Sequence, residues 1–90
     1  MKKCVITVVG KDTVGIIAKV CSFLADREIN ILDISQTIIQ GYLNMLMIVE
    51  MNEAADRFAE IADGLEKLGE DIGVVIKIQQ EDIFNSMHRI

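Results

Sequence analysis

Ninety residues, 51% apolar and 26% charged with a net charge of −5, bound one small acidic domain. That balance excludes a nucleic-acid-binding surface, which needs Lys and Arg to neutralise phosphates, and disfavours an anionic membrane. No apolar run approaches a membrane span, and Met1-Lys2-Lys3 leads into only about six apolar positions, too few for a signal peptide, so a cytoplasmic location is expected.

A chain of this length buries roughly 60–65% of its unfolded surface. Only 4% of the residues are aromatic and there is no tryptophan, so Ile, Val, Leu and Met must build the core. The aliphatic excess over what one small core hides points to self-association, with a homodimer as the expected form.

In chain order, residues 3–9 read as a strand with Cys4, Ile6 and Val8 on one face and Val5, Thr7 and Val9 on the other. Two apolar faces suit a central strand. The strand feeds Gly10-Lys11-Asp12-Thr13-Val14-Gly15-Ile16-Ile17, and a helix follows from about Val14 to Arg27. Its stripe is Ile17, Val20, Cys21 and Leu24, flanked by Ile16 and Phe23. Asn30 stands where that helix hands over to the next strand, a position expected to fall near the same loop.

Residues 31–39 and 42–51 read as strands joined by Gln40-Gly41, a two-residue hairpin turn. In the first, Leu32, Ile34 and Ile38 alternate against Ile31, Asp33, Ser35, Thr37 and Ile39. Asn52 is the expected N-cap of a second helix, about 53–68, striped by Ala55, Phe58, Ile61, Ala62, Leu65 and Leu68 and closed by Gly69. Gly64 inside that helix costs up to about 1 kcal/mol against alanine. Val74, Ile76 and Ile78 alternate with Val75, Lys77 and Gln79 in a fourth strand, polar enough on one face to be an edge.

The order β-α-β-β-α-β predicts an α+β, ferredoxin-like sandwich. Right-handed crossovers put both helices on one face of a four-stranded antiparallel sheet and leave the other face bare. The domain spans 1–80. Residues 81–90 form an extension in which Ile83, Phe84, Met87 and Ile90 recur at near-helical spacing, so a short C-terminal helix is expected.

Candidates for catalysis are few. His88 is the one histidine, near a chain end and without a visible partner, and reads as a helix-dipole or surface residue. Cys4 and Cys21 have no metal spacing and read as reduced, buried thiols. The acidic runs Glu50, Glu53, Asp56 and Glu66, Glu70, Asp71 read as solvated faces. Gly10 and Gly15 have P-loop spacing, but Ile16-Ile17 replace the obligatory Lys-Ser/Thr. With no nucleophile–base pair, no enzyme is expected, and no cofactor or metal.

The loop allows two readings. It is a tight strand-to-helix turn, with Gly10 for φ freedom, Asp12 or Thr13 as N-cap and Gly15 for close packing. Alternatively, backbone N–H groups at residues 14–16 hold an anion at the helix N-terminus. A β-carbon at Gly15 is expected to crowd the first helical turn or the anion-binding amides.

Gly10-x-Asp12-x-x-Gly15-Ile16-Ile17-Ala18 through Leu24-Ala25 to Asn30-Ile31-Leu32-Asp33-Ile34 resembles the signature of the ACT domain. Ile34-Ser35-Gln36-Thr37-Ile38 and the tail from Glu81 to Ile90 resemble a narrower subgroup, the short UPF0237-like bacterial and archaeal proteins made of a single ACT domain. Val14 stands where many members have proline. The resemblance implies modules that pair side by side or face to face, with an amino-acid effector at the interface. Carried over position by position, it nominates Gly10, Asp12, Val14, Gly15 and Ile16 from the loop and Asn30, Ile31 and Asp33 from the second strand. The expected function is a stand-alone regulatory module that binds an amino acid at a homodimer interface. The alternative is an interaction subunit that pairs with a separate enzyme or transcriptional regulator.

Overall fold

The computed structural model describes residues 3–51 and 57–81. The elements run β1 (Lys3–Lys11), α1 (Ile16–Asp26), β2 (Asn30–Ile39), β3 (Tyr42–Glu50), α2 (Phe58–Ile72) and β4 (Val74–Gln80). The strands form one antiparallel sheet in the order β2-β3-β1-β4, the ferredoxin-like arrangement expected from the element order. Among the described residues no helix is long and apolar enough to cross a membrane.

Period-two burial builds the core. Cys4, Ile6 and Val8 of β1, Leu43, Met45, Met47 and Val49 of β3, and Val74, Ile76 and Ile78 of β4 are buried against the helices. The helices answer at i, i+4 and i+8, with Ile16, Val20 and Leu24 from α1 and Ile61, Leu65 and Gly69 from α2. Ile16 therefore leads the α1 stripe, and Ile17, expected there, is exposed. The shift follows from the helix starting two residues later than its apolar run.

Helix α2 runs past the expected stop at residue 68. Gly73, at φ 81°, is the C-cap, its N–H donating to the Gly69 carbonyl, as left-handed helix ends require. Gly69 serves a different purpose: a β-carbon there would lie 2.5 Å from the Val74 carbonyl oxygen, where α2 crosses β4. Gly64 also has a packing reason, since a β-carbon would lie 2.7 Å from Cζ of the Phe23 ring. That ring is held by Arg27, whose guanidinium carbon sits 3.6 Å from its centroid while Nη1 donates to the Phe23 carbonyl at 3.1 Å. The expected cap Asn52, the stripe residue Ala55 and the tail from Asp82, with His88, lie outside the described residues.

Strand β2 departs most from expectation. A bulge between Ile31 and Asp33 leaves Leu32 without a register partner, and one inserted residue reverses the alternation that follows. Ile31 therefore pairs with Val49 on the helix side, as Ile34, Gln36 and Ile38 pair with Met47, Met45 and Leu43. Asp33, Ser35, Thr37 and Ile39 face the other way. Nine of the ten residues of β2 are exposed, and Ile31 alone of this edge strand packs against the core.

Candidate functional site

The β1–α1 loop is tied to the β2–β3 hairpin by one backbone bond: the Asp12 N–H donates to the Gly41 carbonyl at 2.8 Å. After Asp12 the chain rises through a fully exposed Val14 and turns at Gly15, the N-cap of α1, at φ 91° and ψ 0°. That conformation suits glycine alone among unstrained residues. The expected caps Asp12 and Thr13 do not act as such, because no side chain bonds to the helix start. Space around Gly15 is open: a β-carbon would meet nothing within 4 Å. The crowding expected there belongs to Gly10, where a β-carbon would lie 2.7 Å from Val74 Cγ1 and 2.9 Å from Val74 Cα. Gly10 lies within β1, facing Val74 of β4, so close approach and conformational freedom are exchanged between the two glycines.

The uncapped amides consequently shift along the chain. The Lys19 N–H donates to the Gly15 carbonyl at 3.0 Å as the first intrahelical bond, so the orphan N–H groups are those of Gly15, Ile16, Ile17 and Ala18, which share Gly15 and Ile16 with the expected residues 14–16. They stand at the positive end of the α1 dipole. An open hollow of about 460 Å³ lies there, lined by Asp12, Thr13, Gly15, Ile16, Ile17, Ala18 and Cys21. Thr13, Ile17, Ala18 and Cys21 are additions to the expected set, the last three reachable from sequence only once the helix start is moved to Ile16. A further groove of about 390 Å³ runs along α2 and β4, and its lining includes Val74, the register partner of Gly10.

The second half of the nominated site does not meet the first within one chain. Asn30 pairs with Glu50, which pairs with Lys3, while the loop leaves from Lys11 beside Tyr42 and Ile39. Eight residue steps of β1 separate these ends, roughly 26 Å at strand rise. Asn30 is therefore not near the loop, as its place at the helix-to-strand handover had suggested. Asn30 and Asp33 are exposed. Ile31 is half-buried and packs on the core, the bulge having turned it away from Asp33. Of the nominated residues, Asp12, Val14 and Gly15 shape the loop surface. Ile16 contributes its backbone and buries its side chain; Gly10 is packed into the sheet.

A βαββαβ order folded into a four-stranded antiparallel sheet defines a ferredoxin-like α+β domain. The chain belongs to the ACT domain family, whose model matches residues 2–79. It is similar to a UPF0237 protein of Bifidobacterium longum, 58% identical over 90 residues and covering 100% of both chains. An ACT domain protein from Streptococcus pneumoniae has the same fold, with a TM-score of 0.82 at 41% identity over 92% of this chain and 93% of that one. The regulatory subunit of aspartate kinase from Thermus thermophilus aligns with a TM-score of 0.68 at 28% identity, over 88% of this chain and 51% of its own. ACT domains are regulatory modules that often bind amino acids.

Proposed function

We propose that this chain is a regulatory, non-catalytic ACT module that binds a free amino acid at the junction of two copies of itself. The observation that carries the reading is the split site: uncapped amides at one end of the sheet and exposed Asn30 and Asp33 at the other, on an exposed edge strand. A second copy paired antiparallel along β2 about a two-fold axis brings its Asn30 end to the first copy's loop, and the reverse, making two equal sites. An α-carboxylate would take the amides of Ile16, Ile17 and Ala18, and an α-amino group would meet the partner copy's Asn30 amide oxygen or Asp33 carboxylate as charge-assisted hydrogen bonds. Likeness to the aspartate kinase regulatory subunit supports a regulatory role.

The test is a panel of amino acids in thermal shift and calorimetry. A ligand at a hundred times its dissociation constant adds about 2.7 kcal/mol of stability. A folded dimer that responds to none of them at millimolar concentration would overturn the sensor reading.

The exposed length of β2 also favours a second reading, an interaction subunit whose edge strand extends the sheet of a separate enzyme or regulator. Recovery of a stoichiometric, salt-resistant partner from native extract supports it; recovery of the homodimer alone counts against it.

A further inference from the structure

The sheet has a second edge, and it belongs to β4. Among the described residues β1 is its one neighbour, and nothing pairs with its outer side. The strand is regular: its register with β1 runs unbroken from Val74 to Gln80, and it holds no proline. Edge strands are usually blunted by bulges, prolines or charges. The one charge on β4 is Lys77, which pairs with Thr7 on the sheet face away from the helices.

The groove of about 390 Å³ follows this edge, and every residue from Val74 to Gln79 lines it. Consecutive strand residues point to opposite faces, so a hollow touching all of them runs along the outer edge and not over one face. Its wall is a single row of α2: Ala62, Glu66 and Glu70. A β-carbon on Gly69 would meet Val74 and Ile76, and the chain reverses at Gly73. The row therefore runs back along β4, with Glu70 near Val74 and Ala62 toward Ile78. Four helix residues rise about 6 Å and two strand residues about 6.8 Å. The wall thus repeats in step with every second residue of a strand laid in the groove.

We infer that the β4 edge is a docking groove for an extended, basic segment of another protein, added antiparallel as a further strand. Its side chains facing α2 run apolar, cationic, cationic: the first lies over Ala62 and the next two meet Glu66 and Glu70. The side chain opposite Lys77 is acidic, and the one opposite Val75 is apolar. Backbone hydrogen bonds give such a strand its affinity, and the charges select it. A second copy of this chain is disfavoured. Pairing β4 with β4 about a two-fold axis sets one α2 beside the other and turns the Glu66 and Glu70 rows toward each other, like charge against like. Strand β2 lies three strand spacings away, about 14 Å, so the β4 edge is open whether or not two copies pair along β2. The inference is independent of amino-acid binding.

The probe is a short dye-labelled peptide with the core Val-Glu-Lys-Val-Lys, titrated with the full chain at low salt and read by fluorescence anisotropy. Saturable binding is expected, weakening as salt screens the charges. A peptide with both lysines changed to glutamate should bind roughly tenfold more weakly, the worth of two surface ion pairs turned repulsive. Glu66→Lys with Glu70→Lys, both at exposed positions, should reverse that preference with far-UV circular dichroism unchanged. Backbone N-methylation of the peptide on its pairing side should abolish binding, and alternate β4 amides should exchange more slowly in the complex. Equal binding of a scrambled peptide of the same composition, or a preference that survives the charge reversal, would overturn the inference. So would failure to saturate at millimolar peptide. Dimer lost in step with peptide binding would also overturn it, by assigning this edge to a second copy.

Discussion

Replacing Gly15 separates the two reasons a loop glycine can have. At φ 91° with nothing within 4 Å of a β-carbon, the cost of any side chain lies in the backbone and not in contacts. A left-handed conformation costs an L-residue roughly 1–2 kcal/mol, so Gly15→Ala should lower stability by that amount. For a domain of this size the equivalent drop in melting temperature is roughly 4–16 °C. Gly15→Asn should lose less, because Asn tolerates the left-handed region. Gly15→Leu should lose no more than alanine does, within about 0.5 kcal/mol, since the added atoms project into solvent. Urea melts of the four proteins at one fixed protein concentration read the series directly. A leucine variant far below alanine would refute the reasoning, because it would mean that Gly15 faces a packed neighbour. A neutral alanine variant would equally show that the turn is not held at positive φ.

Gly10→Ala should destabilise by about 1–3 kcal/mol through overpacking, and Val74→Ala in the same chain should recover part of that loss, measured as a double-mutant cycle. Gly69→Ala should cost more than Gly64→Ala, because backbone faces the first β-carbon and a side-chain ring edge faces the second; paired melts check the order. Ile34→Lys with Ile38→Lys, both on the exposed β2 edge, should convert dimer to monomer in sedimentation velocity while leaving far-UV circular dichroism unchanged; a persisting dimer would move the interface elsewhere. Asn30→Ala should leave the ligand-free melt within about 0.5 kcal/mol and weaken the amino-acid response by about 1–3 kcal/mol, the worth of a charged hydrogen bond.

Element order and core were legible because period two and period 3.6 are written plainly in β1, β3, β4 and both helices. What escaped was set by tertiary approach or by a single residue. Gly10 and Gly15 cannot be told apart by sequence, since one answers to Val74 of a distant strand and the other to a local turn. Leu32 looks like a member of an alternating strand, and only pairing with β3 reveals it as a bulge that turns Ile31 inward. The α2 stop is hidden in the sequence because Gly69 resembles a cap and is a crossing point, with the true cap four residues on. The separation of Asn30 from the loop follows from topology: a βαβ crossover sets β2 parallel to β1, so the start of one lies far from the end of the other. Spacing along the chain had suggested proximity that the crossover forbids.

The most direct test of a site shared between two copies is complementation. Ala18→Glu places a carboxylate in the hollow beside the first-turn amides and should repel a ligand carboxylate, while Asn30→Ala removes the other half of the site. Neither homodimer should respond normally to the amino acid that gives the largest shift with the unsubstituted protein. Mixed in equal amounts and allowed to exchange, half of the dimers become heterodimers, each with one intact and one doubly defective site. Calorimetry should then recover roughly a quarter of the original sites at the original affinity. A mixture that binds no better than its two parents, with heterodimers shown by native mass spectrometry, would contradict a site built from both copies.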